Sequence, residues 1–307
     1  MRVVFFGTPE FAVPSLEALL GEGFDVVAAV TRPDKPQGRS RSTAVPPPVK
    51  TAALAEDVPV LQPERPGGDA FLAQLKALAP DVGVVVAYGH ILAPALLALP
   101  RHGMLNVHPS LLPELRGAAP VQWAILNGLK QTGVTIMQME ARLDSGPILL
   151  QIPHDIDPEV TGGELSEHLS EMGAQALVEA LALLETNGLQ RRPQDHARAT
   201  YAPKLTRDVA RINWTHPAER VARVIRALDP KPGAWSELDG REVKLFGARI
   251  ADDSGGPGEI RMTDDGLRIT TGQGAVLVEE VQPAGKPRMP AADWLRGRGA
   301  RKGQRFA

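Results

Sequence analysis

Val3-Val4-Phe5-Phe6-Gly7, then Pro14-Ser15-Leu16-Glu17-Ala18-Leu19-Leu20, then Val26-Val27-Ala28-Ala29-Val30, place two short, wholly apolar runs on either side of a segment with helical spacing. An apolar run too short for a helix and stopped by glycine suits a strand buried on both faces, and the segment between reads as its crossover helix. The alternation continues through a helix over 71–78, strands over 82–87 and 104–107, a helix over 120–126 and a strand over 134–139. Strands of this kind separated by helices predict an α/β, Rossmann-like fold with a mostly parallel sheet covered on both faces. Thr161-x-x-Glu164 has the form of a capping box, opening an amphipathic helix that runs to about Glu185 and closes the first domain.

The pattern changes after residue 189. Residues 190–206 are polar, arginine-rich and without apolar periodicity, and read as a linker. From 207 to 307 one helix, entered at Thr215 and Pro217 and ending near Leu228, precedes short alternating segments around Trp235, 243–246, 267–270 and 275–278. Asp239-Gly240 and Asp265-Gly266 sit between such segments and are hairpin signals. A small antiparallel, OB-like β-barrel is predicted, in which Trp214, Trp235 and Trp294 are expected to fill the core.

The 307 residues, 43% hydrophobic and 23% charged, suit two globular domains. The chain has no cysteine, which excludes a disulfide framework, a thiolate zinc site and a thiol nucleophile. Its first residues hold too short an apolar run for a signal peptide, and nothing later is long enough to span a membrane, so a cytoplasmic protein is expected. The net charge of −2 hides an asymmetry: residues 1–190 carry 12 Lys and Arg against 21 Asp and Glu, and residues 191–307 carry 22 against 15. A basic half is a footprint of nucleic-acid binding, or simply a solvated surface. Within the acidic part, residues 32–50 stand apart, with Arg32, Lys35, Arg39, Arg41 and Lys50 against Asp34 alone.

The first strand-to-helix turn, Gly7-Thr8-Pro9-Glu10-Phe11, lacks the Gly-x-Gly-x-x-Gly of dinucleotide sites, and no P-loop sequence follows. His102, His108 and His154 are too far apart for a helical metal pair, and no metal is expected. The informative stretch runs from Met104 through Asn106-Val107-His108-Pro109-Ser110-Leu111-Leu112-Pro113 to Arg116-Gly117. Asn106 and His108 are two apart at a strand end, so both side chains leave on one face, at the carboxyl edge where open α/β sheets bind ligands. An amide donor beside an imidazole can polarise a carbonyl and move its proton; alternatively, both only satisfy loop backbone. Asp144, in Leu143-Asp144-Ser145-Gly146-Pro147, either holds that imidazole or makes an Asx turn, and local sequence does not separate the two.

The string Asn106 to Pro113, with Arg116-Gly117-Ala118-Ala119-Pro120 after it, resembles the signature of the folate-dependent formyltransferases. The likeness extends over nearly the whole chain, through Phe6 to Phe11, Thr31 to Pro36, Val85 to Gly89, Thr132 to Met139, Pro232 to Trp235 and Gln282 to Lys286. It implies 10-formyltetrahydrofolate as co-substrate and initiator Met-tRNA as acceptor, with Asn106, His108 and Asp144 catalytic and neither metal nor covalent intermediate. It implies a folate pocket walled by Ser110, Leu111, Leu112 and Pro113, by Tyr88, Gly89, Ile91 and Leu92, and by the loop from Glu140 to Asp144. The basic loop is implied to grip the tRNA acceptor end through Arg39, Arg41 and Lys50, and it is expected to be disordered without tRNA. The second domain would hold the tRNA body through Arg296, Arg298, Arg301 and Lys302. Two positions depart from the family's usual pattern, His90 and Lys231 within Pro230-Lys231-Pro232. A monomer is expected. The alternatives are a formyltransferase for a small amine such as a sugar nucleotide or glycinamide ribonucleotide, a hydrolase of the formyl folate, and a non-catalytic RNA-binding protein.

Overall fold

A computed structural model describes residues 1–37, 43–263, 266–301 and 303–307. The chain divides into two compact units, the first made of Met1–Gly117, Thr132–His154 and Ser166–Tyr201. Its centre is a seven-stranded sheet in the order Ile148–Asp155, Gln131–Gln138, Met104–His108, Val82–Val86, Arg2–Gly7, Asp25–Val30 and Val60–Leu61. From Met104–His108 to Val60–Leu61 every neighbouring pair is parallel. Those strands are apolar throughout because both faces are covered: Val3, Phe5, Phe6, Val30, Val82, Val84 and Val86 are all fully buried.

Gln131–Gln138 is antiparallel to Met104–His108, with Met137 opposite Asn106 and Thr135 opposite His108. The loop after it therefore leaves beside Leu105, not at the carboxyl end of the neighbouring strand, and must double back to bring Asp144 to the site. The edge strand Ile148–Asp155 was not anticipated, since its half-exposed residues give no continuous apolar run. Lys35–Gln37 pairs antiparallel with Thr43–Val45 at the base of the basic loop. Arg39 and Arg41, together with Asp265 and Lys302, lie outside the described residues.

The second unit comprises Ala118–Gln131, Asp155–Leu165 and Ala202–Ala307. The capping box forms as expected: the Thr161 amide donates to Glu164 Oε2 at 2.9 Å and the Glu164 amide to Thr161 Oγ1 at 3.2 Å. The antiparallel sheet runs Ala234–Leu238, Arg241–Ala251, Ala275–Pro283, Gly266–Thr270, Ile260–Thr263, with Met289–Pro290 paired to Ala275–Pro283. It curls into a half-barrel, and Phe306 and Arg305 bridge to Leu238 and Glu259, near its two edges. Asp239 and Gly240 both have positive φ, 51° and 72°, and join the first two strands in the tight turn that their sequence predicts. Trp214, Trp235 and Trp294 are all buried. Trp214 Nε1 donates to Ser236 Oγ at 2.9 Å, and Trp214 and Trp294 flank the ring of Phe306, so these rings are core.

Candidate active site

The strand Met104–His108 sets Val107 into the core and turns Asn106 and His108 to the other face. With a rise of roughly 3.3 Å per residue, their Cα atoms stand about 6.6 Å apart, room for one acyl oxygen between two donors. Asn106 is half-buried, and among the described residues nothing hydrogen-bonds its amide. His108 is buried, with Nε2 3.0 Å from the Leu115 carbonyl oxygen and Nδ1 3.8 Å from Asp144 Oδ2. The Leu115 carbonyl only accepts, so Nε2 carries a proton, and a second proton on Nδ1 would face the Asp144 carboxylate. At 3.8 Å the Nδ1–Oδ2 approach is longer than a hydrogen bond.

Asp144 adopts φ of 47°, unusual for a residue with a side chain, and its Oδ2 accepts the Gly117 amide at 2.8 Å. Gly146 makes the loop possible, because a Cβ there would lie 1.9 Å from the Gln138 carbonyl oxygen. The signature segment thus approaches the carboxylate twice, through the His108 side chain and the Gly117 backbone.

The loop 110–113 is strapped from below by groups that sequence reasoning missed. Thr135 Oγ1 donates to the Ser110 carbonyl at 2.6 Å and accepts the Leu112 amide at 3.1 Å, and Gln151 Nε2 donates to the Leu112 carbonyl at 2.9 Å. Ser110 Oγ donates to the Glu114 carbonyl at 2.6 Å, so the hydroxyl serves its own turn. Leu112 packs with Met137 and Ile148, and Leu92 packs with Phe6 and Met104, while Leu111 and Pro113 are half-buried. The Tyr88 ring is core: it packs edge-on to Phe6, its hydroxyl has no partner among the described residues, and burial pushes its pKa up to about 12. Its backbone carbonyl accepts from Thr8 Oγ1 at 3.0 Å. Ile91, at 88%, and Leu143, at 62%, are among the most exposed large apolar side chains, and Gly89 and Glu140 are exposed too.

Arg32 Nε donates to His90 Nε2 at 3.3 Å, which requires that ring nitrogen to be unprotonated. Burial, then the charges of Arg32 and Lys35, lower the His90 pKa from its ordinary 6.5.

Comparison with known proteins gives the family. Residues 1–181 match the formyl transferase family, and residues 204–299 match the formyl transferase C-terminal domain. The methionyl-tRNA formyltransferase of Roseiflexus sp. strain RS-1 is 48% identical over 310 residues, covering 100% of this chain and 95% of that protein. The methionyl-tRNA formyltransferase of Pseudomonas putida is 48% identical over 288 residues, covering 93% of each. The chain belongs to the methionyl-tRNA formyltransferase family. Among solved structures, the sugar 3N-formyl transferase WlaRD aligns with a TM-score of 0.69 at 17% identity, covering 94% of this chain and 99% of that one. HypX from Aquifex aeolicus with tetrahydrofolic acid aligns at 0.68 and 20% identity, over 96% of this chain and 47% of that one. At such identities the likeness is one of fold.

The basic residues that the family resemblance singled out are differently placed. Lys50 Nζ lies 2.8 Å from Asp34 Oδ2 and 2.9 Å from Gln62 Oε1, so its charge is already engaged. The Lys50 hydrogen bond, then that of Gln62, hold the Asp34 carboxyl below its ordinary value. Arg296 pairs with Asp293 on its own helix, and Arg298 and Arg301 are exposed. Among the described residues no group of His, Asp and Glu could hold a metal ion, and no helix is long and apolar enough to cross a membrane.

Proposed function

We propose that this formyltransferase moves the formyl group of 10-formyltetrahydrofolate to the α-amine of methionine on initiator Met-tRNA. The observation that carries the chemistry is the pair of polar groups on one strand face: an Asn106 amide without a partner among the described residues, and a His108 Nδ1 held near Asp144 but outside hydrogen-bond distance, which donates when the ring is protonated. As the amine attacks the formyl carbon, a C–N bond forms and charge develops on the formyl oxygen, where both donors strengthen their hold. Collapse of the adduct breaks the bond to folate nitrogen, which takes up the proton lost by the amine. Asp144 supports the imidazolium throughout and assists that proton relay.

The exposed Ile91 and Leu143, on loops 88–92 and 140–144, fit the folate reading, since a flat heterocycle covers apolar surface that the protein leaves open. The tRNA reading rests on the relatives' activity and on charge. Residues 191–307 and the loop 32–50 are basic where a small-amine substrate needs no such surface. In this reading residues 1–189 are catalytic, 190–206 link, and 207–307 bind tRNA, in a cytoplasmic monomer. Arg39 and Arg41 supply the loop's grip, Lys50 being engaged by Asp34, and Arg296, Arg298, Arg301 and Lys302 contact tRNA phosphates.

The test is transfer of labelled formyl from 10-formyltetrahydrofolate to Met-tRNA, beside a panel of small amines, glycinamide ribonucleotide and amino-sugar nucleotides. Formylated Met-tRNA, with weaker and less salt-dependent binding in an Arg39→Ala, Arg41→Ala variant, is expected. Transfer only to a small amine would overturn the acceptor while leaving the donor pair in place.

A further inference from the structure

Arg116 is the largest fully buried side chain in the described protein. A buried guanidinium is costly unless strongly partnered, yet among the described residues Arg116 pairs with no carboxylate. Its Nε and Nη2 instead donate to Gln194 Oε1, at 3.1 and 2.5 Å, and Nη2 also donates to His196 Nδ1 at 3.0 Å. Gln194 is itself buried, and its Nε2 donates to the carbonyl oxygens of Asp144, at 3.0 Å, and Gly146, at 2.7 Å. The orientation of this amide is dictated by chemistry: the guanidinium only donates and the two carbonyls only accept.

The contacts close a ring. The Arg116 side chain holds Gln194, Gln194 holds the backbone on both sides of Ser145, and the Asp144 carboxylate returns to the Gly117 amide, next in sequence to Arg116. Asp144 sits in the left-handed region, a conformation that persists only when its surroundings over-determine it. We propose that Arg116 and Gln194 are a positioning pair that fixes the Asp144 carboxylate against His108. The guanidinium polarises the amide, and the amide clamps the loop. Neither touches substrate, and the inference rests on the catalytic role proposed for Asp144.

Gln194→Glu is nearly isosteric and keeps the partner of Arg116, but it turns a carboxylate oxygen toward the two carbonyls and breaks the clamp. Hydrogen exchange at the Gly117 amide in the free protein reports the position of the Asp144 carboxylate without any substrate. That amide is expected to exchange at least about tenfold faster in Gln194→Glu, with thermal unfolding still cooperative. In formyl transfer to Met-tRNA, kcat is expected to fall about 10- to 100-fold with both KM values within about twofold, and by less than about twofold when Gln194→Glu is added to Asp144→Asn. Arg116→Lys, which keeps the charge but not the fork, should give a smaller loss of the same kind. Unchanged Gly117 exchange, or a Gln194→Glu loss that multiplies in full with that of Asp144→Asn, would overturn the pair's role. Faster Gly117 exchange in a protein whose wild type transfers no formyl group would leave the clamp standing and overturn only the catalytic reading it rests on.

Discussion

Asn106 and His108 stand side by side on one strand but are held in opposite ways. The Asn106 amide has no protein partner among the described residues, so Asn106→Ala orphans nothing and should change stability by no more than about 0.5 kcal/mol. His108 is buried against the Leu115 carbonyl, and His108→Ala leaves that oxygen unsatisfied, an expected loss of about 1–3 kcal/mol. Equal losses in denaturant unfolding would contradict this division between a donor kept for a ligand and one that is also structural. His90 gives a pH prediction. Its folded pKa lies below the ordinary 6.5, so as pH falls past that value the unfolded chain takes up a proton that the folded protein resists. Stability attributable to this site therefore falls from about pH 6.5 downward, until folded His90 also protonates. The melting temperature of the wild type should drop more between about pH 7 and 5 than that of His90→Gln, and parallel curves would refute the assignment.

At the scale of elements, the site depends on straps between segments far apart in sequence. Thr135→Val keeps the shape of the side chain but deprives the Leu112 amide and the Ser110 carbonyl of their shared partner. A cost of about 1–3 kcal/mol is expected, together with a raised KM for the formyl folate, because loop 110–113 loses its anchor; an unchanged KM would show the loop to be held otherwise. The parallel strands and the face shared by Asn106 and His108 were legible because apolar runs and a two-residue period are local signals. The helix Pro120–Leu126 and the Thr161 box were legible for the same reason. Asp144 could be singled out but not assigned, since nothing near it in sequence distinguishes a turn aspartate from one aimed at an imidazole. Gln194 was out of reach. It lies in a polar stretch that reads as a linker, and its role comes from hydrogen bonds to residues about fifty positions away, a relation with no periodicity. The antiparallel turn at Gln131–Gln138 was hidden likewise, because a buried strand has the same composition in either direction.

Across the whole molecule, the balance of −9 over residues 1–190 and +7 over residues 191–307 separates a catalytic reading from a phosphate-binding one. With all three predicted core tryptophans buried, stacking on them is not available to a nucleic acid, and any hold on tRNA in the second unit falls to exposed side chains, its arginines and lysines among them. The fold carries the family's two parts, and the residues of the signature converge within the first. The central claim, that Asn106 and His108 stabilise the developing charge on a formyl oxygen, is tested most directly by rapid-quench single-turnover transfer from 10-formyltetrahydrofolate to Met-tRNA, with enzyme in excess and both substrates saturating. The step should slow about 100- to 1,000-fold in Asn106→Ala and in His108→Ala, with the binding of both substrates unchanged. A transfer step as fast as that of the wild type in either variant would contradict it.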